Sequence, residues 1–193
     1  MHALRTIVTT GLTATLALGL GACGKDEPTD EASSTQSSPD ASRDEEAVTK
    51  TFEQFWEASN LANPSKPASD ELKALTTDEL DADTAEFRKN FPKMTIEGKD
   101  KVTASKATIT SDTEAQVEVC YEVHRKFIAT DTYEGNGGTV KAGSNVRSDH
   151  NGRPIPDGAE MVNLIKLERD SASGPWLVGF NQVGYKPSCE LEK

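Results

Sequence analysis

Hydrophobic positions change their spacing several times along this chain, and each change marks a boundary. From Thr6 to Ala22 the residues are uncharged and largely apolar, interrupted by Thr9, Thr10, Gly11, Thr13, Thr15, Gly19 and Gly21. Gly24 to Ala47 then holds no aliphatic or aromatic residue except alanine, and is built from Ser, Thr, Pro, Asp and Glu. Such a segment buries too little apolar surface to offset its ordering entropy, so a solvated tether is expected, with an r.m.s. span of roughly 27 Å. At Val48 a period near 3.6 sets in. Val48, Phe52, Phe55, Trp56 and Ser59 share a helical face, while Lys50, Glu53 and Glu57 fall elsewhere on the wheel. Ser42 and Glu45 have capping-box spacing just ahead of this stripe, and Asn63-Pro64 ends it. Shorter helices are predicted over Asp70–Leu75, with Leu72 and Leu75 inward, and over Asp78–Asn90, with Leu80, Ala85, Phe87 and Phe91 toward a core and Pro92 as the stop.

From Gly98 onward the period falls to about 2. Ala115, Val117, Val119, Tyr121 and Val123 alternate with Gln116, Glu118, Cys120, Glu122 and His124, the mark of a strand with one buried and one wetter face. Lys101–Thr110 is the expected hairpin partner across Ser111-Asp112-Thr113, with a bulge where Ala104 and Ala107 break the alternation. Phe127–Val140 is ambiguous around Gly135-Asn136-Gly137-Gly138, and Asp149–Gly158 reads as a polar connection. A last hairpin pairs Ala159–Glu168 with Pro175–Tyr185, placing Trp176, Val178 and Phe180 on one face. Helices followed by antiparallel strands make an α+β domain, and Val48–Lys193 has the length for one core.

Charge narrows the partners. Thirty-two acidic residues face 21 basic ones, for a net charge of −11. Phosphate neutralisation needs clustered Lys and Arg, and here they are scattered among acids, so nucleic acid is not an expected partner. No polybasic patch draws the chain to anionic lipid, and the acidity reads as a solubility device.

The N-terminus carries a stronger statement. His2 and Arg5 precede the uncharged run, which is too short and polar for the roughly 20 apolar residues that cross about 30 Å of hydrocarbon. It reads as a signal peptide over residues 1–22, ending in Leu20-Gly21-Ala22-Cys23. This run resembles the lipobox of bacterial lipoproteins. The resemblance implies that Cys23 is thioether-linked to diacylglycerol, that the preceding peptide is removed, and that residues 23–47 tether the domain to the extracytoplasmic face of a cell membrane. Two or three acyl chains hold firmly where one does not. The alternatives are an uncleaved signal anchor and a secreted protein in which Cys23 is incidental.

The aromatic first helix, the cysteine in a middle strand, Trp176-Leu177-Val178 opening the last strand and the cysteine just after it form a second pattern. Together they resemble the NTF2-like domain found in small bacterial lipoproteins. That implies a cone, with N-terminal helices packed on a curved antiparallel sheet across residues 48–193. Setting aside Cys23, Cys120 and Cys189 remain, and outside the cytoplasm such a pair forms a disulfide more readily than it stays reduced. The other reading is two small buried hydrophobes. Beyond the signal peptide only His124 and His150 are histidines, without Cys-x-x-Cys or His-x-x-x-His, so neither metal nor cofactor is expected.

A cone leaves a concave mouth, and Phe52, Trp56, Tyr121, Trp176 and Phe180 are the candidates to line it, although aromatics at such spacing also build cores. Asp83, His124 and Asp131 are candidate acids or bases, but the pattern brings no two of them together. With no Gly-x-Ser-x-Gly, phosphate loop or paired-carboxylate motif, an acid–base enzyme is the least favoured reading. The favoured one is a non-catalytic module that docks another envelope protein; the alternative is a cone that binds a small apolar ligand. The two differ in an observable way: a cone closed by Phe52, Trp56 and Phe180 favours docking, whereas an open cavity above about 300 Å³ favours a ligand.

Overall fold

A computed structural model describes residues 39–89, 91–135, 138–149, 151–184, 189 and 191. The expected signal peptide, Cys23 and residues 24–38 of the expected tether lie outside the described residues, as does His150. The first helix, α1, runs from Pro39 to Leu61 and so starts well before Val48. Pro39 suits the first helical position, where its missing N–H has no partner to lose. Ser42 and Glu45 therefore lie inside the helix and do not open it. Tertiary contact explains the extension: the Asp44 carboxylate receives two hydrogen bonds from the Arg169 guanidinium, at 2.9 and 2.8 Å. Of the predicted stripe, Val48, Phe52 and Phe55 are buried and Trp56 and Ser59 half-buried, with Ala58 buried beside them.

Helix α2 is a single turn, Asp70–Lys73, capped by Ser69, whose Oγ accepts the Leu72 N–H at 3.2 Å. Helix α3, Asp78–Lys89, is capped in the same way by Thr77 Oγ1, which accepts the Leu80 N–H at 3.3 Å. It departs from expectation by burying no residue: Leu80 is half-buried, Ala85 is exposed, and Phe87 is 59% exposed and lies against Phe91. This helix rests on the domain without entering its core.

Eight strands follow: β1 Met94–Glu97, β2 Lys101–Ile109, β3 Glu114–Glu122, β4 Lys126–Ala129, β5 Tyr133–Gly135, β6 Gly138–Val140, β7 Glu160–Glu168 and β8 Leu177–Gly184. The ambiguous stretch after Phe127 resolves into β4, β5 and β6, and β1 is a strand that periodicity did not pick out. The main sheet has the order β2-β3-β7-β8 and is antiparallel throughout, with Val117 opposite Ile165 and Tyr121 opposite Met161. β1 pairs with β4 and β5 with β6. The architecture is α+β, a few helices on a curved antiparallel sheet. The bulge expected in β2 occurs between Val102 and Ala104.

A second register shift overturns one placement. On β8 Val178 pairs with Leu167 but Phe180 pairs with Lys166, so Gly179 is an extra residue between them. One inserted residue reverses the facing of everything beyond it. Phe180 therefore leaves the face of Trp176 and Val178, and its ring lies on the outer surface beneath the Lys166 ammonium, 5.6 Å away.

The core forms where α1 crosses the sheet, joining Phe52 and Phe55 to Val117, Ile165, Leu167, Trp176 and Val178. The Arg169 guanidinium lies 4.2 Å above the Trp176 ring, so the Asp44–Arg169 pair and the tryptophan form one stack across the base of the domain. On the outer face Cys120 is the buried exception among its wetter neighbours. Cys189 accounts for this, since the two Cα atoms are 5.8 Å apart, at disulfide distance.

Candidate functional site

The inner face of the sheet is apolar at one end and changes character at the other. Along β7 the inward positions are Leu167, Ile165, Asn163 and Met161, and Asn181 of β8 lies on the same face as Asn163. From Asn163 onward α1 meets that face through Trp56, which packs on Tyr121 and Met161. The same face borders a cavity of about 480 Å³, lined also by Trp56 and Asn60 of α1, Tyr121 of β3, and Arg125, Phe127 and Arg147 beyond it. Two of the five sequence candidates line this cavity, Trp56 and Tyr121. Phe52 and Trp176 are core residues, 2% and 5% exposed, and Phe180 is on the opposite side of the sheet.

Trp56 divides the two ends. Its ring is 5.9 Å from Phe52 on the core side and meets Tyr121 nearly edge-on at 4.9 Å on the cavity side. Its indole N–H is buried without a hydrogen-bond partner. Below it, the Tyr121 hydroxyl donates to Asn163 Oδ1 at 3.4 Å, and Asn163 Nδ2 donates to Asn181 Oδ1 at 3.2 Å. Burial pushes the Tyr121 phenol up to about 12, against a smaller opposing pull from Arg147. Tyr121 is therefore a neutral donor at physiological pH, and it cannot serve there as a base.

The polar wall is built around Asp100, which follows the Gly98 turn. Gly98 has φ +71° and packs against the His124 carbonyl, so a side chain has neither the backbone conformation nor the room. Asp100 Oδ1 accepts the backbone N–H groups of His124 and Arg125, each at 3.0 Å, and Arg147 grips both carboxylate oxygens at 2.7 Å. Asn60, buried on α1, fixes the Asp100 backbone from the other side: its Oδ1 accepts the N–H at 3.1 Å and its Nδ2 donates to the carbonyl at 3.4 Å. Arg147 Nη1 also donates to the Arg125 carbonyl at 2.8 Å. Asp100 is thus fully engaged in clamping α1, the β3–β4 connection and the Arg147 loop together.

Arg125 is different. It stacks over Phe127 at 4.8 Å and donates from Nη2 to the Ala62 carbonyl. Its Nε is buried without a partner, and among the described residues no carboxylate forms an ion pair with it. Burial pulls its pKa down to about 10, which still leaves it charged at neutral pH. Arg125 and Phe127 also border a second, more apolar cavity of about 300 Å³ that involves Phe55, Leu72, Leu80 and Phe87.

The acid–base candidates lie elsewhere. Asp83 is exposed on α3; Asp131 is exposed and accepts from Thr130 Oγ1 at 3.3 Å. His124 bridges Asp157 and Glu122, at 3.0 and 3.3 Å, and these carboxylates raise its pKa, Asp157 foremost. None of the three borders the 480 Å³ cavity, and no two of them meet. Sequence reasoning missed Asn60, Asp100, Arg125, Arg147 and Asn163. Asn163 did leave a trace, as the one polar residue among the inward positions Met161, Ile165 and Leu167. Nothing local marks Arg125 or Arg147, whose roles arise from pairing across the fold.

Among the described residues no group of three His, Cys, Asp or Glu side chains is arranged to hold a metal ion, and no helix is long and apolar enough to cross a membrane. No protein-family model matches the chain, and no curated protein matches it.

Proposed function

We propose that this chain is a lipid-anchored, extracytoplasmic lipoprotein whose folded domain is an NTF2-like cone that binds a small molecule. One observation carries the ligand reading over the docking one: the inner face of the sheet borders a 480 Å³ cavity between Trp56 and Tyr121, and Phe52 and Phe180 do not close it. A cavity of that size, in which rings and aliphatic groups such as Trp56, Tyr121, Phe127 and Ile155 alternate with fixed polar groups such as Asn60, Asp100, Arg147 and Asn163, suits a small organic ligand with both apolar and polar parts. The anchoring part rests on Leu20-Gly21-Ala22-Cys23, and the bridge between Cys120 and Cys189 on their 5.8 Å Cα separation.

The decisive experiment is gentle extraction of the native lipidated protein followed by mass spectrometry under non-denaturing conditions. A bound small molecule that is lost in Trp56→Ala supports the reading; an empty domain that comes out in stoichiometric complex with another envelope protein would replace it with docking. Two companion measurements test the frame. Cys23→Ala should release the protein from membranes or leave its signal peptide uncut, and peptide mapping without reductant should find Cys120 joined to Cys189.

A further inference from the structure

Resting on the reading of the cavity as a ligand site, we propose that its ligand is an aromatic carboxylate, with the carboxylate paired to Arg125 and the ring held among Trp56, Tyr121 and Phe127. The charge argument comes first. Around the cavity the Asp100 carboxylate is taken up by Arg147, and Asp149 is neutralised by Arg153 at 3.0 Å while also accepting the N–H groups of Asn151 and Arg153. Arg125 alone among these arginines is left without a carboxylate among the described residues. A half-buried guanidinium without a direct ion pair is costly, and stacking on Phe127, one bond to the Ala62 carbonyl and the through-space pull of Asp100, itself bonded to Arg147, offset only part of that cost. An incoming carboxylate completes the pair, and the guanidinium fork matches its two oxygens.

Hydrogen-bond accounting points the same way. Among the described residues, the cavity-lining side chains with a buried, unmatched polar atom are Trp56 and Arg125, and both atoms are N–H donors. The acceptors at the floor, Asn163 Oδ1 and Asn181 Oδ1, are already engaged. What the site lacks is acceptor oxygen, and a carboxylate supplies acceptors only. The body of the ligand follows from the walls: Trp56, Tyr121 and Phe127 present rings, which favour a flat aromatic partner over a saturated chain.

Calorimetry on the full chain, unacylated, oxidised and free of detergent, tests this with three probes: 2-naphthoate, 2-naphthylmethanol and dodecanoate. Naphthoate should bind at least about tenfold more tightly than the alcohol of the same ring system, a ratio worth about 1.4 kcal/mol. Arg125→Gln should bring the two to equal affinity by weakening the acid at least about tenfold more than the alcohol, and Trp56→Ala should weaken both alike. Equal binding of acid and alcohol to the unmodified chain overturns the carboxylate assignment but leaves the cavity a ligand site. Tighter binding of dodecanoate than naphthoate overturns the aromatic assignment. If none of the three binds, both this inference and the ligand reading on which it rests fail.

Discussion

The two ends of one sheet face make an instructive pair. At the β7–β8 turn end, Leu167, Ile165, Val178 and Trp176 meet Phe52 and Phe55 of α1 in one buried apolar cluster. At the other end, on the same strands, Met161, Asn163 and Asn181 face a cavity, and polar groups tie the walls together instead of filling the space. The backbone pairing runs on unbroken from one end to the other, with Leu167 and Met161 both in register opposite β3. The difference lies in the side chains. Apolar volume holds the first end by excluding water, whereas the second is held by the Asp100 clamp and the asparagine pair, which leave room for something else. Dense packing and open space are thus placed on different stretches of one sheet.

Mutations that act differently at the two ends test this division. Trp176→Ala should have the largest effect, about 3–5 kcal/mol, because a closed core cannot fill the space left by a large ring. In a domain of this size that lowers Tm by roughly 10 °C, readable by calorimetry. A Trp176→Ala protein with unchanged Tm would break the claim that this end is filled. Tyr121 comes next. Its folded pKa of about 12 lies above the ordinary value of 10, so the stability gained from keeping the phenol neutral is intact below pH 10 and is lost as pH rises toward 12. Alkaline unfolding curves should show a loss of about 2–3 kcal/mol across that window, and Tyr121→Phe should lack it.

Trp56→Ala should cost less, about 1–2 kcal/mol, since its ring already borders an opening and little new cavity is created. A cost equal to that of Trp176→Ala would mean that Trp56 belongs to the core alone. The smallest effect concerns His124, outside both ends. Its pKa is raised above 6.5 by Asp157 and Glu122, so its contribution is full below pH 6.5 and fades as pH rises through the folded value. His124→Gln should flatten that slight slope in Tm against pH and leave ligand affinity untouched.

Much of the filled end was legible in the chain, and for a definite reason. Val48, Phe52 and Phe55 repeat at helical spacing and Ala115, Val117 and Val119 alternate, and both periods are local properties that a buried face imposes directly. The bulge at Gly179 was not legible, because alternation across Trp176, Val178 and Phe180 looks regular until pairing with β7 shows the extra residue. The open end was half legible. Trp56 and Tyr121 stand out as aromatics, but Arg125, Arg147 and Asp100 are single charged residues in turns and loops, and their meaning depends on partners distant in sequence. Helix α3 misled for the converse reason: Leu80, Ala85, Phe87 and Phe91 suggest a core face, yet the sheet is already covered by α1.

The Asp44–Arg169 pair bears on how the domain withstands pulling. The chain enters α1 at Pro39, and at about 1.5 Å per residue Asn60 lies roughly 30 Å further along the same rod. If the proposed tether is pulled, tension entering at Pro39 would meet the Asp44–Arg169 grip within the first turns, where the last hairpin and Trp176 back it. That load is spent at the packed base before it reaches Trp56 and Asn60. Under such a pull the domain would fray from the packed base, away from the cavity.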